Sequence, residues 1–159
     1  MSAAQLTVKN VRARPVRLPL KRPIVSRVGL FRDWPLILID LETNEGIVGR
    51  SYLEPYLELS ARYLVPMIDD LAQALKGQRV APFDQYRKAI GSLHLVGREG
   101  LTLIAVSGLD MAAWDALAKA ADVPLAVLLG GTLGSVPAYN SNGLWLTDPG
   151  SLHDEAAEL

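Results

Sequence analysis

The stretch AVSGLDMAAWDALAKAADVPLAVLLGG, residues 105–131, decides the fold. It is alanine-rich and helical in every local preference, yet Asp110 and Asp115 sit inside an otherwise apolar run. Gly108, Ala112, Ala113, Ala116 and Ala118 are small enough for a second backbone to approach closely, while Leu101, Ile104 and Leu109 fill the neighbouring core. Asp115 and Lys119 lie four apart in the favourable order, a pair worth only ~0.3–0.5 kcal/mol if exposed. No third ligand or base stands at helical spacing from the two aspartates, so both read as structural. The two carboxylates also interrupt the longest apolar run, which therefore reads as a packed helix and not a membrane span. Its expected role is to dock one domain on another.

Working outward, Pro124 permits a short helix that ends at Gly130-Gly131. Upstream, Gly97-Arg98-Glu99-Gly100 interrupts helix, and Ala81-Pro82-Phe83-Asp84 restarts it. From Tyr56 onward, Leu59, Tyr63, Leu64, Met67, Ile68, Leu71 and Leu75 recur at intervals of three and four, with Pro66 expected to bend or split that helix. Ahead of the helices the period changes to two. Leu6 to Leu20 reads as a strand with one solvated face, with Pro15 and Pro19 placing it at an edge or a bend. Leu36–Leu41 and Ile47–Leu53 flank the turn formers Thr43-Asn44-Glu45-Gly46, a hairpin that completes a three-stranded antiparallel sheet. Lys21 to Pro35 is too irregular for a strand and is expected to be a long functional loop.

Strands followed by helices make an α+β unit over residues 1–131. Beyond it, SVPAYNSNGLWL reads as a short strand entering a polar loop. TDPGSLHDEAAEL then starts a helix that Asp148 or Ser151 can cap. That helix has a start signal and no stop signal, so residues 132–159 are expected to hold the first βα unit of a larger α/β domain that this chain leaves unfinished.

Composition narrows the function. Half of the 159 residues are hydrophobic and 21% are charged, as in an ordinary globular protein. A net charge of -1 supplies no field to recruit nucleic acid or an anionic membrane, and neither partner is expected. With no cysteine, disulfides and thiol chemistry are excluded; with no signal-peptide pattern, the expected location is the cytoplasm. His94 and His153 have no metal-ligand spacing, and the 97–100 loop lacks the Lys-Ser/Thr of a phosphate loop.

Read in order, Ala105, Ser107-Gly108-Leu109-Asp110, Ala112-Ala113, Asp115-Ala116, Ala118-Lys119, Pro124-Leu125 and Leu128-Leu129-Gly130 resemble a family signature. It is the helix signature of the mandelate racemase and muconate lactonizing enzyme group of the enolase superfamily. PLILIDLETNEGIVGRSYLEPY is similar to that group's capping-domain hairpin, most of all to that of mandelate racemase. The resemblance implies an N-terminal capping domain leading into a TIM-like barrel. It also implies a full-length Mg²⁺-dependent racemase, epimerase or dehydratase that removes the proton α to a substrate carboxylate. Such a proton is very weakly acidic, so fixed positive charge must stabilise the enediolate before a side chain acts as base. The family's bases and metal carboxylates come later than Leu159; no catalytic or metal-binding residue is expected in this chain, and Mg²⁺ would be held by barrel residues.

What the resemblance assigns here is substrate binding: Ile24, Ser26, Val28 and Phe31 on the loop over the pocket, Glu54 and Tyr56 after the hairpin, and Tyr139 and Ser141 at the first barrel strand. Glu54 falls where mandelate racemase keeps an aromatic side chain. With Arg27, Arg32 and Asp33 nearby, that pocket suits a hydroxyl-bearing acid better than a phenyl ring. The implied partners are a small carboxylic acid and other copies of the chain, in a homo-oligomer. The competing reading is a free-standing, non-catalytic α+β binding or assembly module.

Overall fold

The computed structural model describes residues 5–145 and 148–159. Three strands, β1 (Val8–Ser26), β2 (Gly29–Thr43) and β3 (Val48–Leu53), form one sheet in the order β1-β2-β3. Then come the helices α1 (Glu58–Gln73), α2 (Pro82–Ser92), α3 (Leu101–Ala120) and the short α4 (Leu125–Leu128). A 3-10 turn, Pro149–Ser151, leads into α5 (Leu152–Glu158). The three strands and the helices after them match the α+β expectation, and β1 with its prolines is an edge strand.

Period-two patterning explains the sheet. The antiparallel register pairs Ile37 with Leu53, Ile39 with Ser51 and Leu41 with Gly49 on the buried face, and Leu38 with Tyr52 and Asp40 with Arg50 on the other. Arg14 and Arg50 both reach Asp40 on that outer face, at 2.5 and 3.4 Å. At the turn, Thr43 Oγ1 donates to the Ile47 carbonyl and accepts from the Ile47 N–H, both at 3.0 Å, while Gly46 takes φ 87°. Residues 77–80 run alongside the start of β1, with Val80 N–H donating to Leu6 O and Val8 N–H to Gln78 O. That pairing covers part of an edge that would otherwise be open.

Two sequence expectations about the first 75 residues need correction. Lys21–Pro35 is not an irregular loop: β1 runs on to Ser26 and β2 begins at Gly29, so the segment is a hairpin arm with Arg27 and Val28 at its tip. Backbone pairing between adjacent segments overrides the broken alternation, and Ser26 Oγ closes the turn by accepting from Val28 N–H at 3.2 Å. Pro66 does not split α1, which is continuous from Glu58 to Gln73. Pro66 lies on the solvent face, where water can satisfy the Arg62 carbonyl that loses its donor.

The chain forms two compact units. One combines the described residues up to Val16 with Pro35–Leu133; the other combines Arg17–Trp34 with Gly134–Leu159. The first holds the core, in which Val8, Ile37, Ile39, Leu41, Leu64, Ile68, Ala105, Ala112 and Ala116 are almost wholly inaccessible. At its centre is α3, packed against β3, α1 and α2. By length and composition α3 could cross a membrane, but here its alanine face is the middle of the core.

The backbone that α3 approaches belongs to β3 of its own unit. A Cβ at Gly49 would lie 2.0 Å from the Ala112 carbonyl oxygen and 2.8 Å from Ala116 Cβ. Polar groups complete the joint. Ser51 Oγ donates to Gly108 O at 2.6 Å, and Asp115 Oδ2 accepts from Arg50 N–H at 2.7 Å and from Lys119 Nζ at 2.5 Å. Lys119 Nζ also donates to Val48 O at 2.9 Å. The pair legible as a helix-surface i,i+4 contact is thus a clasp between helix and sheet edge. Asp115→Ala should lower stability by about 1–2 kcal/mol, because it strips a charged acceptor from an N–H and a lysine at once. Chemical denaturation would measure this, and Lys119→Met in the Asp115→Ala background should then cost little more.

The chain departs from expectation after Gly131. Residues 132–141 have no regular secondary structure, because a strand needs a hydrogen-bonding neighbour and none pairs with them among the described residues. Neither proposed cap holds α5: Ser151 Oγ donates back to Asp148 O at 2.8 Å and does not accept from a helix N–H. The 3-10 turn starting at Pro149 supplies the helix entry instead.

Candidate functional site

Four of the eight residues expected to bind substrate lie on the hairpin arm. Ile24 and Ser26 are two apart on β1 and so share a face, Phe31 opens β2, and Val28 at the tip is 79% exposed. Ile24, Ser26 and Phe31 are half-buried. Phe31 packs edge-on against Trp34 with ring centroids 6.0 Å apart, and Arg17 pairs with Asp33 at 2.8 Å. These contacts hold the base of the arm and leave the tip free to present side chains. Tyr139 and Ser141 belong to the same unit. They lie in the irregular segment, both exposed, Tyr139 at 89%.

Glu54 and Tyr56 belong to the first unit, in the short link from β3 to α1, and both are exposed around the buried Pro55. Tyr56 takes φ 61°, a left-handed conformation that a bulky residue adopts only under constraint. Leu57 N–H closes the turn onto Pro55 O at 2.7 Å. A strained, exposed link next to a core strand is where binding side chains are commonly displayed.

The two aspartates of α3 differ. Asp115 is the clasp described above. Asp110 lines a small, mostly apolar cavity of about 90 Å³ among α1, α2 and α3, with Leu71, Gln85 and Leu109. Burial pushes its carboxyl pKa up, against a smaller opposing effect of a hydrogen bond from Trp114. A raised folded-state pKa means that the native state holds the proton more tightly than the unfolded chain. Stability therefore falls as pH rises from the unfolded carboxylate value through the folded one. Asp110→Asn should accordingly raise Tm at pH 7, and the gain should vanish once the pH drops below the ordinary aspartate range; thermal melts at a series of pH values test this.

No cluster of three or more His, Cys, Asp or Glu residues able to hold a metal ion occurs among the described residues. His94 is exposed and contacts Arg98 one turn on, and His153 is exposed on α5. The donor set of the described residues does not fit a Mg²⁺ site.

Sequence reasoning missed one constellation in the second unit. Arg22, Val25, Leu30 and Arg32 of the arm line an open cavity of about 450 Å³ together with Trp145, Ser151 and Glu155. Arg22 is held by Glu158 at 2.5 Å. The signal available was guanidinium charge at 22 and 32 within the arm; its meeting with Trp145 and Glu155 is tertiary.

With this geometry in view, comparison with known proteins is decisive for the family. Residues 8–130 match the model of the mandelate racemase / muconate lactonizing enzyme N-terminal domain. The chain belongs to that family. Among solved structures, it is similar to an enolase from alpha proteobacterium BAL199 with bound Mg: 56% identity, TM-score 0.93, covering 97% of this chain and 42% of that one. It is also similar to an enolase from Bradyrhizobium complexed with magnesium and mandelic acid, at 40% identity and TM-score 0.81, over 87% of this chain and 38% of that one. Among characterised relatives, L-talarate/galactarate dehydratase of Salmonella typhimurium is 33% identical over 141 residues, 83% of this chain and 35% of the relative. The chain thus spans well under half the length of the proteins it matches. Relatives of this mandelate racemase-like domain are enzymes, dehydratases among them, and several of the structures contain Mg.

Proposed function

We propose that this chain is the N-terminal part of a Mg²⁺-dependent acid dehydratase, racemase or epimerase that abstracts the proton α to a substrate carboxylate. In this reading residues 1–131 are the cap and 132–159 open the barrel. The observation that carries the reading is the family match over residues 8–130, joined to relatives that act on galactarate or bind mandelic acid with magnesium. Metal ligands and bases are assigned to the part of the relatives' length that this chain does not span, because its own donor set does not fit. No catalytic step is assigned to the 159 residues. Their task is to select the acid through the arm residues Ile24, Ser26, Val28 and Phe31, the link residues Glu54 and Tyr56, and Tyr139 and Ser141. The substrate is a small carboxylic acid, the working form a homo-oligomer.

The free-standing binding module is the weaker reading. The strained Tyr56 and the exposed arm tip suit either, but the likeness to Mg-containing enzymes across 97% of the chain favours the enzyme. The test is exchange of the α-proton for deuterium in galactarate, galactonate and mandelate, followed by NMR, in an enzyme carrying this chain as its N-terminal part. Mg²⁺-dependent exchange in at least one acid is expected; none in any would overturn the proposal. Within that enzyme, Glu54→Phe should shift the kcat/KM ratio of polyhydroxy over aromatic acids by about tenfold toward the aromatic ones. A carboxylate enclosed without a donor costs ~1–3 kcal/mol, so its removal relieves only the aromatic acid. An equal loss on every acid would mark Glu54 as structural.

A further inference from the structure

We propose that the Asp115–Lys119 pair closes the outer edge of the sheet: it takes the backbone positions on β3 that a further strand would use, and so keeps a second copy of the chain from adding there. The inference is independent of the function proposed above.

β3 is last in the order β1-β2-β3, and no strand lies beyond it among the described residues. In an antiparallel ladder the N–H and C=O of alternate residues face the partner strand, and those of the residues between them face away. Arg50 N–H goes to Asp115 Oδ2 at 2.7 Å, so the outward set on β3 is Arg50 and, two residues earlier, Val48. Val48 O accepts from Lys119 Nζ at 2.9 Å. A parallel strand laid along this edge would meet the same two groups with a single residue, its N–H on Val48 O and its C=O on Arg50 N–H. Lys119 Nζ and Asp115 Oδ2, held 2.5 Å apart, stand in for that residue's donor and acceptor.

The side chains of Asp115 and Lys119 are 28% and 42% exposed, and an ion pair so open to water adds little by its own attraction. Arg50 is exposed as well, so solvent reaches this edge. A short edge strand guarded by charge resists strand addition, because an incoming backbone must displace charged partners and offers only neutral ones in return. Without the pair, β3 would present a bare N–H and C=O beside the exposed Tyr52, a residue type that favours pairing. The opposite edge is guarded by other means: residues 77–80 run alongside the start of β1 and occupy both Val8 N–H and Val8 O. At β3 the excluded occupant is a second copy of the chain. Two β3 strands can pair antiparallel about a two-fold axis at Arg50, and the Asp40 that each Arg50 reaches at 3.4 Å offsets the meeting of the two guanidinium groups.

Hydrogen exchange followed by NMR on the ¹⁵N-labelled 159-residue chain tests this, with Gly49 N–H, which faces β2, as the reference for overall stability. In the unaltered chain Arg50 N–H should be protected although no strand lies beside it. Asp115→Ala should speed its exchange relative to Gly49 by about tenfold or more in dilute solution, the loss of a bond to a charged acceptor. In concentrated solution that variant should sediment at twice the mass of the unaltered chain, with Arg50 N–H protected again by the second copy's backbone. Asp115→Asn, whose side-chain carbonyl still accepts, should keep the unaltered chain's mass. If Asp115→Ala does not fold, Lys119→Met, which frees only the Val48 carbonyl, should itself give the doubled mass. Three results would each overturn the inference. One is exchange of Arg50 N–H as fast in the unaltered chain as in Asp115→Ala. Another is a folded Asp115→Ala or Lys119→Met chain that keeps the unaltered mass at every concentration. The third is a doubled mass of Asp115→Ala without renewed protection of Arg50 N–H, which would place the contact elsewhere on the molecule.

Discussion

Gly49→Ala is expected to destabilise the first unit by about 3 kcal/mol, at the upper end of what a single added methyl costs in a packed interior. The new Cβ would stand 2.0 Å from the Ala112 carbonyl oxygen and 2.9 Å from the Ala116 nitrogen, which are backbone atoms of α3 and cannot rotate away. Relief requires lifting the helix off β3. That would also stretch the bonds from Arg50 N–H to Asp115 and from Ser51 Oγ to Gly108 O. Urea unfolding of the 159-residue chain measures the effect; a loss under 1 kcal/mol would mean that α3 and β3 are not as close as described.

A second large effect is expected at Gly108, where an added Cβ would meet side chains: Ile39 Cδ1 at 2.5 Å and Leu53 Cδ1 at 2.9 Å. Gly108→Ala should cost about 2 kcal/mol, less than Gly49→Ala because side-chain ends can shift. Ile39→Val removes the Cδ1 atom that is struck, at about 1 kcal/mol on its own. The double variant should therefore be more stable than the sum of the two losses predicts, by about 1 kcal/mol in a double-mutant cycle. Strict additivity would show that the strain at Gly108 is taken by the backbone or by Leu53.

The two glycines also show where sequence reading succeeds. The small residues of α3 announce a close backbone approach, since helix propensity accounts for Ala112, Ala113 and Ala116 but not for Gly108 on the same helix. Alternating Ile37, Ile39 and Leu41 likewise announce a one-sided sheet. The partner of the close approach is another matter. It is β3, which enters only because Gly49 stands opposite Leu41 on the buried face.

The candidate site was legible as a set of positions and not as an arrangement. The arm, the link at Glu54 and Tyr56, and the segment around Tyr139 could be named from their resemblance to the family, but their conformations could not. Lys21–Pro35 looks irregular because prolines and charges break its period-two alternation, and only pairing across the Arg27-Val28 turn makes it a hairpin. The segment from Ser135 looks like a strand for the opposite reason: its pattern is suitable, but no neighbour among the described residues is hydrogen-bonded to it.

By itself, then, the sequence determined the α+β class, the helix and strand periods, the small-residue face of α3 and the family, because these depend on spacing along one chain segment. Tertiary structure alone decided that Asp115 and Lys119 clasp β3, and that Arg32, Trp145 and Glu155 share a cavity. Such contacts join residues far apart in sequence. Burial and pairing between distant segments, which no local pattern encodes, select them.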